Sequence, residues 1–181
     1  KKQADGVVSD LEKADYLVES VEKREVRKYP APPFTTSTMT QAASRRFFWS
    51  AKQTMRVAQK LYEEGLITYH RTDSTNLAKQ AIFGVRGFIE KEFGQEFLPE
   101  KPRFYKTRSK VAQEAHEAIR PTSVGITSDK EQVTSLGRDA EKLYGIIWKR
   151  FVACQMADAR FEETTIAVKA TPNLQPPTSN L

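Results

Sequence analysis

Two strand-like segments lie near opposite ends of the chain and enclose a helical middle, which constrains the fold more than any other feature. From Asp15 to Lys28 the residues are charged, with scattered apolar positions at Tyr16, Val18, Val21 and Val26, so a strand with one wet face is predicted. Phe161 to Ala170 is the clearer strand, because Thr164, Ile166 and Val168 alternate with Thr165, Ala167 and Lys169. These two segments are candidates to pair with each other although most of the sequence separates them. The Pro30-Ala-Pro-Pro33 run marks the entry to the helical region between them.

At 181 residues the chain can form one medium domain or two small ones, and a hydrophobic content of 39% places it among folded proteins. No apolar run approaches the ~20 residues of a membrane span and no signal peptide is visible, and a cytoplasmic setting is expected. The single cysteine, Cys154, excludes an internal disulfide and sits in an apolar helical pattern, which reads as a buried, inert thiol. The chain starts at Lys1 and ends in a Pro-rich stretch over 171–181. An excised fragment with a disordered tail is expected.

The helical region carries its own punctuation. Thr35-Thr-Ser-Thr38 offers N-caps for a helix to about Phe47. Ser50 with Gln53 three residues on predicts a capping box, opening a helix that ends at Gly65. Asp73, Ser74 and Thr75 are expected to cap a further helix whose apolar face is Leu77, Ala81, Ile82, Val85, Phe88, Ile89 and Phe93. From about Leu136 another follows, with Ala140, Leu143, Tyr144, Ile147, Trp148 and Phe151 on one face. The first two helices are short, adjacent, acid-free and basic, a pattern shared by helix-turn-helix domains and by many plain helical hairpins.

Charge distribution is more informative than the net charge of +6. Val26 to Tyr62 contains no Asp or Glu but holds Arg27, Lys28, Arg45, Arg46, Lys52, Arg56 and Lys60. A second acid-free block, Lys101 to Lys110, interleaves Lys101, Arg103, Lys106, Arg108 and Lys110 with Phe104 and Tyr105. Cations for phosphates and aromatics for bases point to nucleic acid, and Arg45 and Lys52 are selected as candidate DNA contacts.

Between the blocks lies Gly65-Leu66-Ile67-Thr68-Tyr69-His70-Arg71-Thr72-Asp73-Ser74. If Thr68 to Thr72 is extended, Tyr69 and Arg71 share one side and His70 faces the other. A phenol can attack a phosphodiester, and a guanidinium can neutralise the non-bridging oxygens in bidentate fashion. A free phenol titrates near ~10, so it needs a positive field or a proton acceptor to act at neutral pH. A second constellation is Gln113-Glu-Ala-His116-Glu-Ala-Ile-Arg120-Pro-Thr122, in which His116 and Arg120 share a face if the segment is helical. A zinc-protease motif would need histidine at position 120, and the chain has only two histidines, so no metal ligands are assigned.

The Tyr69 run preceded by Leu61-Tyr-Glu-x-Gly65 closely resembles the active-site motif of bacterial type IA DNA topoisomerases, and Gln113 to Thr122 resembles their second conserved block. Shorter matches at Val21 to Arg24, Pro33 to Ser44 and Leu143 to Met156 extend the resemblance over roughly Ser20 to Val168. His70 stands where bacterial members commonly have Met. The resemblance implies that Tyr69 is the nucleophile, forming a 5′-phosphotyrosine intermediate on single-stranded DNA. It implies Arg71 as the adjacent phosphate-binding arginine, with His116 and Arg120 as further phosphate ligands. It also implies an ATP-independent enzyme whose Toprim domain holds Mg²⁺ through acidic residues absent from this chain. No cofactor is expected here, and the remaining domains of the same polypeptide are the expected partners.

The implied fold is α+β. A mainly helical nucleophile domain over 34–153, of helix-turn-helix or winged-helix character, is inserted in a β-rich hinge or arch domain formed by 1–33 and 154–170. The expected behaviour of such a fragment is to bind DNA without relaxing it. Rival readings are a helix-turn-helix regulator without catalysis, a structural module, and a tyrosine recombinase. The last places its tyrosine after its Arg and His-x-x-Arg elements, whereas Tyr69 precedes His116 and Arg120.

Overall fold

Pairing between the chain's two ends is the first feature of the computed structural model, which describes residues 2–105 and 117–172. Helix α1 (Lys2–Glu12) precedes strand β1 (Ala14–Lys28), and β1 pairs with β2 (Ala159–Pro172) in a two-stranded sheet. Between them come α2 (Thr36–Phe47), α3 (Ala51–Glu63), α4 (Lys79–Phe93), a 3-10 turn (Gln95–Phe97), the single turn α5 (Glu131–Thr134) and α6 (Arg138–Ala153). The architecture is α+β. The chain divides into one compact unit of Lys1–Lys28 with Arg160–Leu181 and another of Tyr29–Ala159, the second a few residues wider at each end than the span 34–153.

In the sheet unit Thr171 reaches the Asp15 carbonyl at one end of β1, and Lys28 lies over the Phe161 ring at the other, so the strands run antiparallel. Lys23 pairs with Glu162 at 2.8 Å and Arg24 with Glu163 at 3.1 Å across the strands. These exposed pairs contribute only about 0.2–1 kcal/mol each. The expected single wet face is corrected: along β1 only Ala14 and Val26 are even partly covered, because no second layer packs on the sheet among the described residues. Helix α1, which the sequence reading did not anticipate, likewise buries nothing.

The helical unit has two apolar clusters. In the larger, Met39 and Ala43 of α2 and Val57, Ala58 and Leu61 of α3 meet Ala140, Leu143, Tyr144 and Ile147 of α6. In the smaller, Val85 and Ile89 of α4 meet Phe151 and Val152 of α6. Trp148 touches both, so α6 is shared by the two clusters. The Tyr144 hydroxyl donates to the Ile126 carbonyl and the Trp148 indole to that of Val124, each at 2.8 Å, which ties the loop before α5 to this helix. Burial pushes the Tyr144 phenol up to about 12, as expected of a structural tyrosine. Cys154 is buried, its thiol pushed up to about 12 by burial, consistent with an inert role.

Helix ends follow the sequence signals in part. Thr35 caps α2 with a reciprocal box, its side chain meeting the Thr38 amide while Thr38 reaches back to the Thr35 amide. Ser50 caps α3 by accepting from the Gln53 amide, but the expected box is half formed, because the Gln53 side chain instead donates to Asp139 at 3.3 Å. Gly65 ends α3 at φ +68°, where a side chain would be strained. The expected capping by Asp73, Ser74 and Thr75 is corrected. Helix α4 starts only at Lys79, and the Ala78 amide at its N-cap is met at 2.7 Å by Glu117, a carboxylate from elsewhere in the chain. Residues 173–181, the bulk of the expected disordered tail, lie outside the described residues.

Leu143 is fully buried where α3 and α6 meet. Leu143→Ala is therefore expected to cost about 2–5 kcal/mol, read as a lower urea midpoint with an unchanged slope.

Candidate active site

The Tyr69 run belongs to no helix or regular strand, so its backbone groups must be satisfied from outside. Segment 118–122 pairs with one part of it. The Thr68 amide donates to the Arg120 carbonyl at 2.9 Å, the Thr122 amide to Leu66 at 3.0 Å and the Ala118 amide to Asn76 at 2.8 Å. The Thr68 hydroxyl donates to the Ala118 carbonyl at 2.6 Å and accepts from the Arg120 amide at 3.0 Å. Residues Phe34 to Thr36 pair with the rest. The Thr36 amide donates to the Thr72 carbonyl at 2.8 Å, and the Thr36 hydroxyl donates to His70 at 2.8 Å while accepting from the Thr72 amide at 2.9 Å. Phe34 in turn accepts from the Ile119 amide at 2.8 Å, which closes the clasp.

The clasp holds the run extended. His70, Thr72 and Ser74 are buried, while Tyr69, Arg71 and Asp73 are exposed. Tyr69 and Arg71 thus share the outer side, as the spacing predicts, with Tyr69 47% exposed. The Ser74 amide donates to the Thr72 hydroxyl at 3.0 Å and the Asn76 amide to Ser74 at 3.1 Å, so these hydroxyls serve the extended run and not a helix cap.

The nucleophile candidate is braced by aromatic rings. Tyr62, on the last turn of α3, lies edge-on to Tyr69 with centroids 5.3 Å apart and 5.6 Å from His70, while Tyr69 and His70 are 5.4 Å apart. His70 is 3% exposed, and neither ring nitrogen has a hydrogen-bond partner among the described residues. Burial holds its imidazole below the ordinary value of 6.5, and the adjacent Arg71 charge adds to this against an opposing pull from Glu63. Sequence reasoning missed Tyr62 and Thr36. Tyr62 carries no periodic signal because α3 ends between it and Tyr69, and Thr36 was hidden inside a run of capping threonines.

The other selected residues fall elsewhere. The helical premise for His116 and Arg120 is corrected over its described part: residues 117–121 are extended, with Ile119 bridged to Phe34 and Pro121 to Ile67. The backbone groups that a helix would use are spent on the clasp. Arg120 docks beside Thr68 by its backbone, but its guanidinium forms a bidentate pair with Glu117 at 2.7 and 2.8 Å and also donates to the Pro121 carbonyl. His116 lies outside the described residues.

In the second basic block Arg103 serves the structure, bonding to Asp158 and to the Met156 carbonyl, while Lys106, Arg108 and Lys110 lie outside the described residues. Lys52 is exposed on the first turn of α3. Arg45 lines a separate concavity with Arg46, Lys149 and Arg150. No three His, Cys, Asp or Glu side chains among the described residues converge as metal ligands.

An exposed phenol and guanidinium therefore share the outer side of a clasped extended run. The family described as DNA topoisomerase matches residues 1–176. The chain belongs to this family, as a segment of the bacterial type IA enzymes. DNA topoisomerase 1 of Escherichia coli K12 is 48% identical over 170 residues, covering 94% of this chain and 19% of the relative. That of Pasteurella multocida is 48% identical over 168 residues, covering 93% of this chain and 19% of the relative. Full-length topoisomerase I from Thermotoga maritima superposes with a TM-score of 0.70 at 31% identity, over 93% of this chain and 30% of that one. The chain thus spans about a fifth of the length of the curated relatives it matches.

Thr36→Val removes three of the clasp's hydrogen bonds and leaves the Thr72 amide unpaired. It is expected to cost about 1–3 kcal/mol and to speed amide exchange at Thr72. His70 is kept neutral in the fold, so the unfolded chain takes up a proton that the folded one refuses. Stability is expected to be full above about pH 6.5 and to fall as pH drops below it. His70→Met should flatten this dependence in thermal melts between about pH 7.5 and 5.

Proposed function

We propose that this chain supplies the nucleophile half of a type IA topoisomerase that relaxes negatively supercoiled DNA without ATP. The observation that carries the proposal is the clasped run that presents Tyr69 and Arg71 together to solvent above a buried His70. The Tyr69 oxygen attacks the scissile phosphorus of a single-stranded segment. The bond from phosphorus to the 3′ oxygen breaks, the phenol proton is lost, and the leaving oxygen departs as a 3′ hydroxyl. Tyr69 is then joined to the 5′ phosphate. Because one phosphodiester is exchanged for another, no external energy is needed, and attack by the 3′ hydroxyl reverses the step after strand passage.

Arg71 stabilises the charge that builds on the non-bridging oxygens. His116 and Arg120 are further phosphate ligands in this proposal, and for Arg120 this requires exchange of Glu117 for the phosphate. In the whole protein Mg²⁺ would be held by acidic residues outside this chain. Residues 34–153 then form the nucleophile domain, and the exposed two-stranded sheet belongs to the arch. A two-stranded sheet is marginal alone, which supports its being completed by neighbouring strands. The whole protein is a cytoplasmic monomer in this reading.

The test is a chimera in which this chain replaces the corresponding segment of the E. coli relative. The chimera is expected to relax negatively supercoiled plasmid and to leave an adduct on Tyr69. Tyr69→Phe should abolish both, and Arg71→Ala should slow relaxation by about 10²–10³-fold. Relaxation that survives Tyr69→Phe overturns the proposal. The chain alone, incubated with labelled single-stranded DNA and Mg²⁺, is expected to give no adduct on denaturing gels.

A further inference from the structure

A second charged feature lies away from the tyrosine run. The last turns of α2 and α6 face each other across an open concavity of about 530 Å³, lined by Arg45, Arg46, Lys149 and Arg150 with Phe34 at its floor and no acidic residue. Among the described residues none of these four cations has an ion-pair partner. Arg150 is fixed in place, its guanidinium 4.5 Å from the Phe34 ring centroid and bonded to the Pro32 carbonyl at 3.4 Å. Burial pushes its pKa down, and the charge of Arg45 adds to this against opposing pulls from Cys154 and Tyr105. Cations in the last turn of a helix offset its dipole, but that accounts for roughly one charge per helix end and not for four turned towards one space.

The turn that follows Arg46 is equally unusual. Phe48 adopts φ +60°, ψ 28°, and it is the only non-glycine with positive φ among the described residues. Its amide donates to the Ser44 carbonyl at 2.9 Å and so ends α2. The reversal turns Phe47 and Trp49 inward with rings 5.0 Å apart, and leaves Phe48 92% exposed. Glycine would close this turn without the strain, so an aromatic here costs the fold both conformational energy and an unburied ring.

We propose that this surface is a binding site for single-stranded nucleic acid, in which the concavity receives backbone phosphates and Phe48 stacks on a base. Only a strand that alternates anionic backbone with flat, unpaired bases uses both features at once; duplex DNA presents the phosphates but keeps its bases stacked inside. The choice of ligand rests on the DNA reading proposed above, whereas the site is independent of Tyr69 chemistry.

The test is fluorescence anisotropy with labelled oligo-dT, run on the whole chain carrying Tyr69→Phe so that no adduct forms. Phe48→Gly is expected to weaken binding about 5- to 100-fold while raising the melting temperature, and Phe48→Trp should retain affinity. Arg46→Gln combined with Lys149→Gln should weaken binding and lower the log–log salt slope by about 1.4, at ~0.7 per lost phosphate contact. An abasic oligonucleotide should not distinguish Phe48 from Phe48→Gly. Unchanged dT affinity in either the Phe48→Gly or the double charge variant overturns the site. If the chimera forms its Tyr69 adduct while these variants bind normally, this site is refuted and the DNA reading stands. If no adduct forms and no strand binds, the DNA reading itself fails.

Discussion

The backbone clasp between residues 34–36, 66–76 and 118–122 is the constraint on which the candidate site depends. An extended run outside any sheet must find partners for its amides and carbonyls, and leaving one buried and unpaired costs about as much as a hydrogen bond is worth. Thr36 serves three of those groups from the start of α2, and segment 118–122 serves most of the rest. Because α2 is anchored through Met39 and Ala43 in the larger apolar cluster, the position of the run is inherited from the core. The exposed pair of Tyr69 and Arg71 is therefore presented by a rigid scaffold although it lies on an irregular stretch.

Burial separates the chain's phenols by role. Those of Tyr105 and Tyr144 are each pushed up to about 12 by burial and donate to backbone carbonyls, which suits structural work. Tyr69 is nearly half exposed, and among the aromatic groups of the described residues its ring meets those of Tyr62 and His70. The buried, neutral His70 beneath it adds no positive charge to the run at neutral pH. Arg71 is left as the adjacent cation on the outer side of the run.

Much of the helical unit was legible in the sequence because its signals are local. The Thr35 cap, the Ser50 cap, the stop at Gly65 and the apolar face of α6 each depend on residues within a turn or two. Pairing of the terminal strands was legible because both segments carry strand patterns. The failures share a cause as well. Asp73 to Thr75 look like caps until Glu117 meets the Ala78 amide, and the described part of the second block looks helical until Phe34 and Ile67 bridge to it. Arg120 reads as a free cation until Glu117, three residues away, accepts from it with both carboxylate oxygens.

The sequence by itself determined the chemistry: a phenol two residues from a guanidinium, on a strand period that puts both on one side. It also determined where helices begin and end, since caps and apolar periods act over a few residues. Tertiary structure decided which side of that run faces solvent, because Thr36 and segment 118–122 approach it from more than thirty and forty residues away along the chain. It likewise decided that Arg45 and Arg46 meet Lys149 and Arg150 around one concavity, since helices a hundred residues apart must first pack before their charges converge.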